Sequence, residues 1–209
     1  MIFGRKARLK KTYVIMLCGM SAGCGVTNLA LSLASYLISC EKRRVCFMEY
    51  RENAALASLG TEGIVKCGVP GFTVHGIDVF QVSYQDMEDL KKGKYDVIII
   101  DADSNWDPFW LHTQTLFQAD QIMILGEYRP WKYREVQMFM KQLMNHDIAI
   151  ESGDFYGINV NHAERQHFRA EFHRNVKKLP AIMDPFHLTK QEQKWIGDLL
   201  IKYIKISSV

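Results

Sequence analysis

A short glycine-containing segment has the residue types that bind phosphate. Residues 21–27 read SAGCGVT and lie between an apolar run and a helical pattern. Glycines in such a loop let successive backbone N–H groups turn toward phosphate oxygens, and the N-terminus of the following helix adds positive charge. Thr27 stands where a hydroxyl group would bind Mg²⁺. The predicted nucleotide contacts in this loop are Ala22, Gly23, Cys24, Gly25, Val26, Thr27 and Asn28.

The loop departs from the usual phosphate-binding pattern GxxxxGK[ST] at two positions. Val26 occupies the lysine position, and Met20 occupies the position of the first glycine. Without that lysine, the same glycines are also compatible with a tight strand-to-helix turn that never meets a phosphate. Both interpretations therefore predict the same backbone and differ only in the ligand.

The segments around the loop alternate between strand and helix patterns. Residues 13–17 form a continuous apolar run, which is typical of a strand buried on both faces, and residues 30–38 carry apolar side chains at helical spacing. Further strands are predicted near 44–48, 77–82, 96–100, 121–125 and 155–160, and further helices near 136–144 and 195–204. This alternation predicts an α/β fold in which helices cover both faces of a mostly parallel sheet. The glycine-rich stretch 60–76 is predicted to be loop.

Composition and charge predict one domain with a basic arm. The chain has 209 residues, a formal net charge of +3 and 48% hydrophobic residues, enough for a single core. Residues 1–11 carry five cations and form a predicted basic N-terminal arm, whereas residues 12–209 form the predicted domain. Outside the arm acidic residues slightly outnumber basic ones, which argues against DNA as a partner.

The cysteines and the basic arm bear on where in the cell the protein works. Five cysteines without a CxxC pair predict a reducing, cytoplasmic environment and no structural metal. The arm mixes cations with apolar residues, so it is a candidate for peripheral contact with an anionic membrane at its inner face. A disordered solubilising tail is the alternative.

Four segments together resemble the MinD/ParA family of P-loop proteins. Residues 20–37 resemble the family's deviant Walker A loop, which commonly reads KGGVGKTT, together with the helix that follows it. Residues 44–53 resemble its second strand and D-x-D-x-Q switch, with Glu49 at the first motif position. The segment YDVIIID, ending at Asp101, resembles its Walker B strand. Residues 157–161, GINVN, resemble the strand that ends in an asparagine.

The resemblance implies a fold, a ligand and a metal site. The implied fold is a P-loop NTPase-like domain of the MinD type, with three layers in the order α/β/α. The implied ligand is ATP or ADP, whose Mg²⁺ would be held by Thr27 and Asp101. In relatives the asparagine that corresponds to Asn161 contacts the adenine base.

Three departures from the family pattern fall at positions that matter for hydrolysis. Val26 and Ser21 replace the two lysines of the loop, and Arg51 replaces the switch carboxylate. Phosphoryl transfer depends on positioning and on neutralising charge, so these changes predict little or no hydrolysis. Asp101 is the catalytic candidate only if the protein is active.

The predicted function is that of a degenerate MinD/ParA-like protein. It would bind ATP or ADP weakly and act as a regulatory, positional or assembly scaffold through a protein partner or as a homodimer. The type of departure is similar to that of the CpaE/TadZ-like proteins of pilus assembly. Two alternatives remain open, a nucleotide-free pseudo-NTPase interaction module and an ATPase completed by a partner or by a second protomer.

Overall fold

The computed structural model describes residues 12–50, 56–81, 84–93, 95–102, 119–145 and 153–201. The predicted basic arm, Arg51 of the switch and residues 202–204 of the predicted last helix lie outside the described residues.

Strands and helices alternate along the chain, as the sequence pattern predicts. The strands are β1 (Tyr13–Gly19), β2 (Val45–Tyr50), β3 (Glu62–Lys66), β4 (Val69–Val74), β5 (Ile77–Gln81), β6 (Val97–Ala102), β7 (Gln121–Leu125), β8 (Gly153–Ile158) and β9 (Val176–Leu179). The described helices are α1 (Val26–Ser39), α2 (Tyr84–Lys92), α3 (Tyr133–Asn145), α4 (His162–Phe172) and α5 (Lys190–Ile201). None of them is long and apolar enough to cross a membrane.

Within the described ranges the strands form one nine-stranded sheet in the order β3-β4-β5-β2-β6-β1-β7-β8-β9. The neighbours from β5 to β9 pair in parallel, which confirms the predicted mostly parallel sheet. The two pairings that involve β4 are antiparallel. Strand β1 lies in the interior of the sheet, between β6 and β7.

The prediction that residues 60–76 form a loop is wrong. They contain β3 and β4, an antiparallel hairpin in which Ile64 pairs with Gly71, and β4 pairs in turn with β5. The hairpin turns at Cys67 and Gly68, whose φ angles of 53° and 83° are typical of a tight hairpin turn. Four of the glycines that suggested a loop are therefore strand or turn residues, namely Gly63, Gly68, Gly71 and Gly76. Their strand conformation depends on cross-strand partners, which no local pattern reveals.

Helices cover both faces of the sheet, which confirms the three-layer α/β/α arrangement. On one face, Ile15 and Leu17 of β1 belong to a core cluster with buried residues of α1 and α5. On the other face, Val14 and Met16 belong to a second cluster with residues of α2, α3 and α4. Alternate side chains of β1 thus enter opposite cores, as expected for a strand buried on both faces.

Leu33 of α1 gives a direct test of this packing. Leu33 is fully buried against the sheet, whereas Leu59 is 50% exposed. We expect Leu33→Ala to lower the free energy of unfolding by about 2–5 kcal/mol, because it removes buried contacts and leaves a cavity. The matched Leu59→Ala substitution should lower it much less. Urea denaturation of both variants measures the difference, and equal costs would contradict the packing described here.

Candidate functional site

The predicted phosphate loop lies where α/β sheets of this kind bind ligands. It follows the C-terminal end of β1, which lies between β6 and β7 in the sheet. The connection after β1 leads to β2 on one side, whereas β7 lies on the other. Open α/β sheets bind ligands outside the carboxyl ends of the strands, where the strand order reverses in this way.

The backbone of the loop has the shape that phosphate binding requires. The loop begins at Met20, whose N–H donates a 2.7 Å hydrogen bond to the carbonyl oxygen of Leu125 at the end of β7. Gly23 and Gly25 have φ angles of 78° and 91°, in the left-handed region that favours glycine. Gly25 is the N-cap of α1 and brings no side chain to the exposed N–H groups of the first turn, which also lacks an acidic residue. Those N–H groups can therefore bind an anion.

Cys24 points under the loop rather than out of it. Its side chain is buried, and its Sγ lies 2.7 Å from where a Cβ atom on Gly19 would be. Burial raises the pKa of the Cys24 thiol, although backbone N–H groups of Ser21 and neighbouring loop residues act in the opposite direction. A buried thiol with a raised pKa is chemically inert. Of the predicted nucleotide contacts, Cys24 can thus serve only through its backbone.

The other predicted loop contacts divide into two groups. Ala22 and Gly23 are exposed at the tip, and Thr27 and Asn28 are half-buried in the first turn of α1. Val26 is buried instead, and its Cγ2 atom lies 3.1 Å from a Cβ built on Gly19. The side chain at the lysine position therefore packs under the loop, and the loop itself contributes no cationic side chain.

Two buried carboxylates lie beside the loop on adjacent strands. Asp101 of β6 is in register with Glu49 of β2 and with Leu17 of β1. Both acidic side chains are fully buried. In a parallel sheet, residues in register share a face, and the alternation of these strands places both carboxylates on the face that α1 covers. Thr27 lies in the first turn of that helix.

This donor set fits a hard divalent cation. Carboxylate and hydroxyl oxygens are the ligands that Mg²⁺ prefers, usually together with substrate phosphates. Two neighbouring buried carboxylates repel each other when both are ionised, and a cation relieves that repulsion. Glu49 also accepts a 3.5 Å hydrogen bond from the backbone N–H of Leu56. Thr27 and Asp101 were the predicted ligands, and the strand register adds Glu49.

The strand beyond β7 approaches the loop from the side. Ile158, the last residue of β8, places its Cδ1 atom 2.7 Å from a Cβ built on Gly25. Asn161, the predicted adenine contact, is the N-cap of α4 and shares a capping box with Glu164. Its Oδ1 atom accepts a 2.9 Å hydrogen bond from the Glu164 N–H. The helix cap thus uses the oxygen of the Asn161 side chain, and the nitrogen of the same amide group takes no part in the capping box.

The connection from β7 to α3 brings charged residues to the loop that the motif analysis missed. The pKa of Glu135 lies below its usual range, mainly because of the Lys132 ammonium group and also because of the Ser21 hydroxyl. Lys132 Nζ lies 2.8 Å from Glu135 Oε1. On the same connection, Arg129 forms an ion pair with Glu127. A usable signal was present in the sequence, since charges spaced three apart follow Pro130 just after an apolar strand.

Structural comparison identifies the fold. The chain superposes with a TM-score of 0.66 on a putative plasmid partition protein from Borrelia burgdorferi bound to AMPPNP, at 17% identity and covering 93% of this chain and 100% of that one. It superposes equally well, at 12% identity, on the MinC:MinD cell division complex of Aquifex aeolicus, covering 95% of this chain and 98% of that one. The chain has the MinD/ParA-like P-loop fold. The resemblance that four sequence segments suggested is thereby confirmed at the level of the fold.

A third solved structure shares the MinD/ParA-like fold. It is a cobyrinic acid a,c-diamide synthase from Mycobacterium smegmatis with bound ADP and magnesium, at 15% identity and a TM-score of 0.61, covering 90% of this chain and 94% of that one. No protein-family model and no curated protein matches the sequence. At these identities, structural similarity establishes the MinD/ParA-like fold and leaves the activity to be argued from the site.

The contact between Gly19 and Cys24 can be tested by a pair of substitutions. A methyl group at residue 19 would overlap Cys24 Sγ and crowd the Ser21 carbonyl oxygen, 3.2 Å away. We expect Gly19→Ala to cost about 1–3 kcal/mol of stability, because the loop must shift to accept it. The double variant Gly19→Ala/Cys24→Ala should be more stable, by about 0.5 kcal/mol or more, than the sum of the two single costs predicts.

Gly63→Ala is the matched control for this pair. Nothing lies within 4 Å of a Cβ built on Gly63, so that substitution should change stability by no more than about 0.5 kcal/mol. Thermal and urea unfolding of the four variants measure these terms. Strictly additive costs for Gly19→Ala and Cys24→Ala would show that the two residues do not touch.

Proposed function

We propose that this MinD/ParA-like protein binds an adenine nucleotide with Mg²⁺, turns it over very slowly or not at all, and acts as a nucleotide-responsive regulatory, positional or assembly scaffold. One observation carries the proposal. The left-handed glycines of the loop, the start of α1 without a capping side chain, and the buried pair Glu49 and Asp101 all meet at the switch point of the sheet.

The donor groups would divide between phosphate and metal. The N–H groups of residues 22–28 would bind phosphate oxygens, aided by the partial positive charge at the start of α1. Thr27, Asp101 and Glu49 would hold Mg²⁺, which when bound neutralises phosphate charge. The nucleotide-bound plasmid partition protein and the ADP-bound synthase with the same fold support adenine nucleotide as the ligand class.

Slow turnover follows from what the loop lacks. The residue at the lysine position, Val26, is buried under the loop, and Ser21 at the other lysine position is neutral. Loss of one stabilising charge contact typically costs about 3 kcal/mol of transition-state stabilisation, or about a hundredfold in rate. Binding suffers less, because most of the contacts to phosphate come from the backbone.

The proposed scaffold role rests on a protein partner or a second copy of the chain. A protein that binds nucleotide without hydrolysing it can act only by presenting different surfaces in its two states. The Aquifex structure shows a MinD protein in complex with MinC, which supports a protein partner for this fold. A nucleotide-free interaction module is the competing function, and ligand binding separates the two.

Thermal unfolding tests the binding proposal. Ligand at about ten times its Kd stabilises a folded protein by about 1.4 kcal/mol, which is about 3–6 °C in Tm for a domain of this size. We expect ATP with Mg²⁺ to raise Tm in this range, and ATP with EDTA to raise it less. No shift with ATP or ADP at millimolar concentration would exclude the proposal and favour the nucleotide-free module.

The residues of the metal site are tested in the same assay. We expect Asp101→Asn and Thr27→Val to remove most of the Mg²⁺-dependent part of the shift, because each deletes a predicted ligand. Asp96→Asn is the control, since Asp96 precedes the same strand at its opposite end and bonds the Arg44 N–H at 3.0 Å. If all three variants kept the wild-type response to Mg²⁺, the metal site would be misplaced.

A gain-of-function variant tests the explanation for slow turnover. We expect Val26→Lys to raise ATP turnover by about tenfold or more, because the ammonium group can reach the phosphates while its stem stays packed under the loop. Val26→Met is the control for chain length without charge. Phosphate release under steady-state conditions gives the rates, and equal rates for the two variants would mean that the missing cation is not the limiting feature.

A further inference from the structure

A lysine outside the loop ends the connection that begins beside the proposed phosphate site. The first loop residue, Met20, is bonded to the end of β7 through Leu125 O, at 2.7 Å. The connection from β7 to α3 therefore begins beside the loop. Lys132 is the last residue before α3, and Glu135 lies in that helix's first turn.

Contacts link this lysine to the loop through one carboxylate. Lys132 Nζ lies 2.8 Å from Glu135 Oε1, and the Ser21 hydroxyl is close enough to Glu135 to contribute to lowering its pKa. Ser21 is itself buried, at 8% exposure, so it holds a fixed place in the loop. The ammonium group is thus one carboxylate away from the loop position where a family lysine is missing.

The electrostatics around Lys132 favour a transferable cation. Its pKa is raised, mainly by the hydrogen bond to Glu135 and further by Glu127, so it is fully charged at neutral pH. Its side chain is 36% exposed, and its ammonium group is carried on a flexible four-carbon stem. A nucleotide phosphate chain carries more negative charge than one carboxylate, so it competes well for this ammonium group.

Arg129 on the same connection is a weaker candidate. Its guanidinium group is paired with Glu127 and lies 5.1 Å from the ring centroid of Trp131. Trp131 is 71% exposed, so this stacking holds the arginine at the outer surface. Lys132, by contrast, is joined to a carboxylate that faces the loop.

We propose that Lys132 supplies the cation that neutralises the phosphates of the bound nucleotide in place of the missing loop lysines, and that Glu135 holds it beside Ser21 until the phosphates arrive. This assignment rests on the proposed nucleotide binding and deepens it. It makes Lys132 a binding residue for the same site and Glu135 the group that pairs with Lys132 in the nucleotide-free protein.

Calorimetric titration of the full chain with ATP and Mg²⁺ tests the assignment. Lys132→Met should weaken binding about tenfold, the usual effect of losing one charge-assisted contact. Lys132→Arg should retain most of the affinity. Lys92→Met is the matched control, because Lys92 also forms an i,i+3 ion pair, with Asp89 at 2.7 Å. Lys92 lies on α2, which packs on the face of the sheet opposite to α1.

Two further readouts distinguish a phosphate contact from a structural role. Glu135→Gln removes the competitor for Lys132 and should tighten binding by about threefold, whereas a purely structural pair would make both variants bind worse. Raising KCl from 50 to 300 mM should weaken ATP binding by the wild-type protein more than by Lys132→Met, because salt screens a charge contact that only the wild-type protein makes.

The outcomes separate this assignment from the function on which it rests. If the wild-type protein binds ATP and the Kd of Lys132→Met is within twofold of the wild-type value, the role of Lys132 is overturned and nucleotide binding stands. Weaker binding by Glu135→Gln, matching that of Lys132→Met, would also overturn it. Absence of wild-type binding at millimolar ATP would overturn both proposals together.

Discussion

The close approach between the end of β1 and the start of α1 is the constraint on which the rest of the site depends. Gly19 leaves room for Cys24 beneath the loop, and that buried side chain, with Val26, fixes how the loop leaves the sheet. The left-handed glycines then direct the backbone toward solvent at the centre of the sheet. Every other group of the site is placed relative to this turn by the pairing of β1 with β6 and β7.

The site combines retained shape with a changed distribution of charge. Acidic groups approach from two directions, with Asp101 and Glu49 below the loop and Glu135 beside it. The cationic groups come from the connection after β7 rather than from the loop. If nucleotide binds as proposed, a metal ion and a neighbouring helix would neutralise its charge in place of the phosphate loop, and the ability to bind would be separated from the ability to catalyse.

Much of this arrangement could be predicted from the sequence, because its signals are local. Long apolar runs predicted β1, β6 and β7, the glycine loop predicted the turn, and the order of the segments predicted the three-layer fold. The hairpin of β3 and β4 could not be predicted, because its strands are short and depend on each other and on β5 for pairing. The link from Ser21 to Glu135 and Lys132 spans more than a hundred residues, so only the folded sheet brings them together.

The hairpin also bears on how one edge of the sheet can meet other chains. Strand β3 ends the sheet, so one side of its backbone faces away from any strand of the described residues. It is five residues long, begins with Glu62 and ends with Lys66. Short length and charged ends protect edge strands from pairing with a second molecule. Growth of the sheet from one copy into the next is therefore disfavoured at this edge, which leaves β9 as the other edge strand of the described sheet.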